Sequence, residues 1–316
     1  MLQNAAPGSG SHGRVGCANR PGPHGVPLRQ GRFQKKRECM KLLKCLIICG
    51  SMPLAAQELQ EFQEGPPNPA QPWSLVLGAR LFTTPSFLGS NTNRTRLEPV
   101  FNAQYGRFYL GSSRIGVGYG GGMHLWSERG FTWDLGVGVG DSRPESRSPI
   151  LEGMGDRRAT LWAGTGLQWR QQDGWRAGLT LAYGLRDEAG IRSTLSVGKT
   201  TRLAQDWFLM TGLHGSWADG KAMAYDFGIT EAQAQTRSTL LANGSSSLTP
   251  EEVGPFTPHA GVRDVGGAIA LGYRPAPRWT CTFGLYGGDL QGNARVSPLV
   301  LRNAYLSSGI SVAYRF

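Results

Sequence analysis

The sequence predicts an all-β protein: a closed, transmembrane antiparallel β-barrel of about twelve strands, made behind a secretory signal peptide. Three observations predict it. First, from Trp73 onward apolar residues recur at every second position, as in Phe131, Trp133, Leu135, Val137 and Val139, or Trp175, Ala177, Leu179, Leu181 and Tyr183. Successive side chains of a strand point to opposite faces, so each segment has one apolar face and one polar or very small one. These segments run for about 10–13 residues, the length of a tilted strand crossing a bilayer and longer than most sandwich strands. Second, aromatics gather at the segment ends (Trp73, Trp133, Trp169, Trp175, Trp207, Trp279, Tyr105, Tyr273), as interfacial girdles require. Third, the chain closes on Ile310, Val312, Tyr314 and Phe316 at alternate positions. A final alternating strand ending in phenylalanine resembles the signal read by the outer-membrane assembly machinery, which makes that machinery and outer-membrane lipid the first expected partners.

The N-terminal region is read separately. Met40 to Gln57 (MKLLKCLIICGSMPLAAQ) has Lys41 and Lys44 before a short apolar run, then Leu54-Ala55-Ala56 as a small-residue cleavage site. That is signal-peptide anatomy, and it is too short to span a membrane as a helix. Residues 1–39 read as an upstream extension outside the native fold, 40–56 as the signal peptide, 57–72 as a flexible periplasmic lead-in and 73–316 as the barrel. Four of the five cysteines precede the cleavage site, so the exported chain keeps Cys281 alone and forms no internal disulfide.

Composition then makes sense. Residues 1–56 hold nine Lys and Arg against one Glu, so most of the formal +11 belongs to the leader and nucleic acid is not an expected partner. The 46 glycines follow no collagen period. They fit the inward face, where they make room for Arg80, Arg176, Arg186 and Gln168, and the bends of a small barrel.

Taken in order, the strands are expected at 73–84, 96–105, 107–112, 114–126, 130–140, 159–171, 174–186, 191–202, 206–218, 259–274, 278–288 and 304–316. An even count leaves short periplasmic turns after the even strands and long extracellular connections at 85–95, 141–158, 219–258 and 289–303, with the links at 112–114 and 187–190 as short exceptions. No stretch of comparable length shows a helical period.

No enzyme signature accompanies this pattern. His124, His214 and His259 lack metal-ligand spacing. His214 and Ser216 share a strand face without a clear third partner. Gly116, Gly118 and Gly121 match GxGxxG but no helix follows, and Asp226-Phe227-Gly228 has no kinase motif beside it. Glu152 and Asp156, beside Arg143, Arg147, Arg157 and Arg158, read as a salt-linked surface loop. The expectation is no catalytic residue, no metal and no cofactor.

The loops carry a resemblance. Arg143-Pro144-Glu145-Ser146 followed by Leu151-Glu152-Gly153-Met154-Gly155-Asp156 resembles a segment of the MipA/OmpV family. So do Tyr225 to Thr230 with Ala232-Gln233-Ala234, Ala260-Gly261-Val262-Arg263-Asp264-Val265, and the ending with Gly288-Asp289, Ser297-Pro298 and Tyr314-Arg315-Phe316. The opening GARLFTTPSFLGS has Phe82 and Phe87 where the family more often has tyrosine, and region 231–255 is longer. The resemblance covers 73–316 and marks Arg143, Glu145, Ser146, Gly155, Asp156, Arg263 and Asp264 as motif residues without an assigned role. It implies an outer-membrane scaffold that interacts with the lytic transglycosylase MltA and, through it, a peptidoglycan synthase. A small-solute pore and a surface adhesion or ligand-binding barrel, acting through 219–258, stay open beside it.

Overall fold

The computed structural model describes residues 73–186 and 189–316; the predicted leader and lead-in lie outside them. Twelve antiparallel strands form among these residues: β1 Trp73–Pro85, β2 Asn93–Tyr105, β3 Phe108–Ser112, β4 Tyr119–Glu128, β5 Phe131–Val139, β6 Leu161–Arg170, β7 Trp175–Gly184, β8 Ile191–Arg202, β9 Trp207–Ala218, β10 Gly261–Ala276, β11 Trp279–Leu290 and β12 Ala304–Arg315. Each pairs with its sequence neighbours, and β1 closes on β12 from Val76↔Arg315 to Thr83↔Ser308. Closure leaves no free sheet edge at the ends of the strand order.

The burial pattern is inverted relative to a soluble protein. Leu97, Leu195, Leu213 and Leu306 are each more than 60% exposed, while Asp134 and Met210 on inward positions are wholly buried. The outward residues form the apolar band that faces lipid. No helix among the described residues is long and apolar enough to cross a membrane; the strands make the crossing.

Inside, charged side chains pair with one another. Arg80 pairs with Glu98, which also lies 3.3 Å from Arg96. His124 pairs with Asp134. Toward the turn end, Phe208, Met210 and Ala270 make one buried apolar cluster, and Val76, Val100 and Ala313 another. Glycine makes this filling possible: a Cβ on Gly272 would stand 2.0 Å from the Phe208 ring. Of the four residues expected inside, Arg80 and Gln168 are buried and Arg176 half-buried, but Arg186 lies past the end of β7 and is exposed.

Two departures from the sequence reading have local causes. β4 begins at Tyr119 and not near residue 114, because Gly116 and Gly118 take positive φ (78° and 45°) and Ser113 N–H donates to the Gly118 carbonyl at 2.9 Å. The loop so closed tucks Ile115 and Val117 inward against Trp162. β3 ends at Ser112 as expected, and the β2–β3 ladder has three residue pairs where β1–β2 has thirteen. The second departure is region 219–258, expected as a plain loop. It holds α1, Gly220–Phe227, and α2, Glu231–Ala242.

Candidate functional site

The long connections meet at one end of the barrel and build a cap over it. Asp219 starts α1 by accepting from Ala222 N–H at 2.7 Å, the usual job of a short acidic side chain at a helix N-cap. Ala222, Met223 and Phe227 then pack on Ala218, Leu290 and Ala294. Thr230 and Gln233 form a capping box at the start of α2. The Gln233 side-chain amide goes on to donate to the Met154 carbonyl at 2.8 Å, fastening the helix to loop 140–158. Arg237, fully buried, completes the joint. It donates to the carbonyls of Ile150 and Glu152, both at 2.8 Å, and twice to that of Glu252.

Loop 140–158 is held by backbone hydrogen bonds more than by ion pairs. The Glu145 carboxylate accepts from Gly153 N–H at 2.7 Å and Gly155 N–H at 2.9 Å, and Asp156 accepts from Glu145 N–H at 2.8 Å. The motif residues Glu145, Gly155 and Asp156 are therefore the knot of this loop, whereas Ser146 is exposed. Gly153 and Gly155 need their positive φ (76° and 73°) to turn both amides toward Glu145. Arg143 and Arg157 face each other across a two-residue antiparallel bridge. Both reach the C-terminal end of α1: Arg143 donates to the Asp226 carbonyl at 2.8 Å, and Arg157 to the Tyr225 carbonyl at 2.5 Å and the Asp226 side chain at 3.2 Å. Cations are favoured there by the helix dipole and the unpaired carbonyls.

The charges perturb one another. Burial, reinforced by Arg157, pushes the Arg143 guanidinium down to about 9, against the pull of Asp226. Burial works to raise the Asp226 carboxyl, but Arg192, Arg157, Arg263 and Arg143 together outweigh it and hold the group below its ordinary 3.8. A lowered carboxyl stabilises the folded cap at pH values above 3.8, and that contribution is lost as the pH falls through the lower folded value. A spin label on exposed Ser238 is therefore expected to be immobile at neutral pH and to sharpen only on acidification below the ordinary 3.8 of the Asp226 carboxyl. Asp226→Asn should loosen it at neutral pH as well.

Beneath the cap lies a cavity of about 170 Å³, lined by seven arginines and three aspartates. Arg263 and Asp264, on β10, lie in its wall. Asp264 accepts from Arg263 Nε at 2.6 Å and the Tyr305 hydroxyl at 2.9 Å, and lies 3.1 Å from His214 Nε2. His214 thus has the carboxylate partner that sequence reading did not find, because Asp264 sits 50 residues away and reaches it only through the β9–β10 register. The Ser216 hydroxyl accepts from Thr194 at 3.3 Å. In the assembly segment, Ile310 and Val312 face outward, and Tyr314 makes edge contacts with Trp279 at 5.0 Å and Phe316 at 4.8 Å. The Phe316 amide donates to the Leu75 carbonyl at 3.0 Å, so the last residue is stitched to β1.

Among solved structures, the chain is similar to the NanC porin, at 11% identity over 75% of this chain and 98% of that one, with a TM-score of 0.40. It is similar to an outer-membrane channel from Pseudomonas putida F1 at 9% identity, covering 80% of this chain and 100% of that one, with a TM-score of 0.41. A comparison with curated proteins gives no match. The family pattern described as MltA-interacting protein MipA matches residues 77–316, from β1 through the closing strand, and the chain belongs to that family of outer-membrane barrels.

Proposed function

We propose that this outer-membrane barrel is a noncatalytic scaffold that docks a lytic transglycosylase of the MltA kind, and through it a peptidoglycan synthase, at its periplasmic end. The observation that carries the reading is the family itself, whose description is an interaction with MltA. The architecture agrees with it. Along β1 the buried Arg80–Glu98 pair and Phe82 stand between Thr84, which lines the loop-end cavity, and Val76, which lines a separate cavity of about 160 Å³ near the turns together with Arg274 and Arg315 among others. The short turns give the periplasmic end a basic rim. Arg107, Arg129, Arg202, Arg274, Arg278 and Arg315 are exposed there against Glu128, Asp173 and Asp206. Such a rim steers and orients an acidic partner. The closing strand, Ile310 to Phe316, serves assembly of the barrel in this reading.

The test is capture of a tagged lytic transglycosylase by the full chain in neutral detergent. Changing Arg129, Arg202 and Arg278 together to Glu is expected to cut capture at least tenfold at low salt. Equal capture by the triple variant, or no capture by the unchanged chain, overturns the reading. A small-solute pore is the second reading, favoured by the presence of a cavity at each end of the barrel, and stepwise conductance in planar bilayers would select it.

A further inference from the structure

Positive charge at the loop end exceeds what the local acids can match. The cavity's seven arginines and three aspartates leave a formal excess of four. Every one of those carboxylates is already shared. Asp141 takes Arg94 at 2.5 Å and Arg147 at 3.3 Å, and Asp226 takes Arg192 at 2.8 Å and Arg157 at 3.2 Å. Asp264 is engaged by Arg263, His214 and Tyr305. Open donors outnumber open acceptors: the Nε–H groups of Arg94, Arg96, Arg157 and Arg192 and the Nη2 groups of Arg96 and Arg192 are buried without a hydrogen-bond acceptor, against one cavity carboxylate oxygen, Asp226 Oδ2, without a donor. A buried donor on a charged group without an acceptor is costly, so a cluster of them on four arginines is poorly explained as packing alone.

The same side chains are reachable and held in shape. Those of Arg94, Arg96, Arg157 and Arg192 keep 19–23% exposure. Arg157 lies over the Tyr225 ring at 4.2 Å and Arg192 over the Trp162 ring at 4.4 Å, which fixes each guanidinium plane. A fixed planar fork is suited to bidentate contact with a carboxylate or phosphate. Arg143 is depressed chiefly by its burial, and the neighbouring Arg157 adds to it. Because the walls are inward strand positions and the cap, bilayer headgroups outside the barrel do not reach them. The 170 Å³ of space corresponds to about a dozen waters, hence about a dozen non-hydrogen atoms.

We propose that this vestibule is a binding site for a small oxyanion-bearing ligand of monosaccharide size, whose carboxylate or phosphate is held by Arg96, Arg157 and Arg192. The rings of Trp162 and Tyr225 stack against the Arg192 and Arg157 guanidiniums and hold them in place. This site is independent of the scaffold reading, which concerns the opposite end of the barrel.

The experiment titrates the full chain, refolded in neutral detergent, with glucuronate, glucose 6-phosphate and glucose by calorimetry at low salt. At least one of the two anions is expected to bind and glucose not to; the one that binds identifies the group recognised. Arg96→Gln combined with Arg157→Gln should weaken that binding at least tenfold, and Arg302→Gln, an exposed change outside the cavity, should leave it as it was. Folding of each variant is read from its heat-modifiable gel mobility. Should the double variant not fold, Arg96→Lys keeps the charge but loses the fork, and is expected to weaken binding several-fold. Binding of glucose as tight as that of the anions, heat from neither anion, or full affinity in a folded arginine variant overturns the proposal.

Discussion

Glu98→Ala is expected to lower the unfolding free energy of the barrel by about 3–5 kcal/mol, the usual cost of breaking a buried ion pair by removing one partner. Glu98 is 3% exposed and Arg80 7%, and the same carboxylate stands 3.3 Å from Arg96. Its loss leaves two guanidiniums facing each other across the space it filled. Glu98→Gln keeps the volume and removes only the charge, so it separates electrostatics from packing. Urea titration of the refolded protein in liposomes, followed by tryptophan fluorescence, measures both. If both variants unfold at the parent's midpoint, the pair contributes nothing to the wall.

Arg237→Ala acts elsewhere. It removes a fully buried cation and frees the carbonyls of Ile150, Glu152 and Glu252 together. The cost is about 3 kcal/mol, since bonds to charged donors are stronger than neutral ones and the orphaned acceptors stay partly buried. The loss is confined to the cap, because none of these atoms belongs to the strand ladder. Residues 219–258 should become the first site of limited proteolysis, while heat-modifiable mobility stays that of an intact barrel. Cleavage at the parent's rate would show that α2 is held by something other than Arg237.

These two residues also mark what a sequence discloses here. The wall was legible because a strand's period of two puts lipid-facing and lumen-facing residues in strict alternation, and because turns and connections alternate in length. Glu98 was readable as inward by parity with Val100 and Asn102, though its partner was not, since Arg80 is 18 residues away. The cap was not legible. α2 buries Ala234 and an arginine, not an apolar stripe, so the usual periodic signal of a helix is missing. A signal was present in Thr230 and Gln233, whose spacing is that of a capping box. Asp219, a good N-cap residue, stood likewise before α1. Arg237 carried no mark of its own: a buried arginine is known by the carbonyls around it, and those come from two other stretches of chain. The same holds for the vestibule, assembled from β2, β8, β10, loop 140–158 and α1. Arg143 and Arg263 were picked out through family motifs, whereas Arg94, Arg96 and Arg192 were simply charged residues on strands until the register brought them together.

The three-pair ladder between β2 and β3 has a mechanical consequence. A pull on the chain ahead of β1 can free that strand alone only by breaking eight pairs to β12 and thirteen to β2. Releasing β1 and β2 together breaks the same eight, but only three to β3. Force therefore extracts the first hairpin as one piece, and its two strands unzip from each other only after they have left the wall.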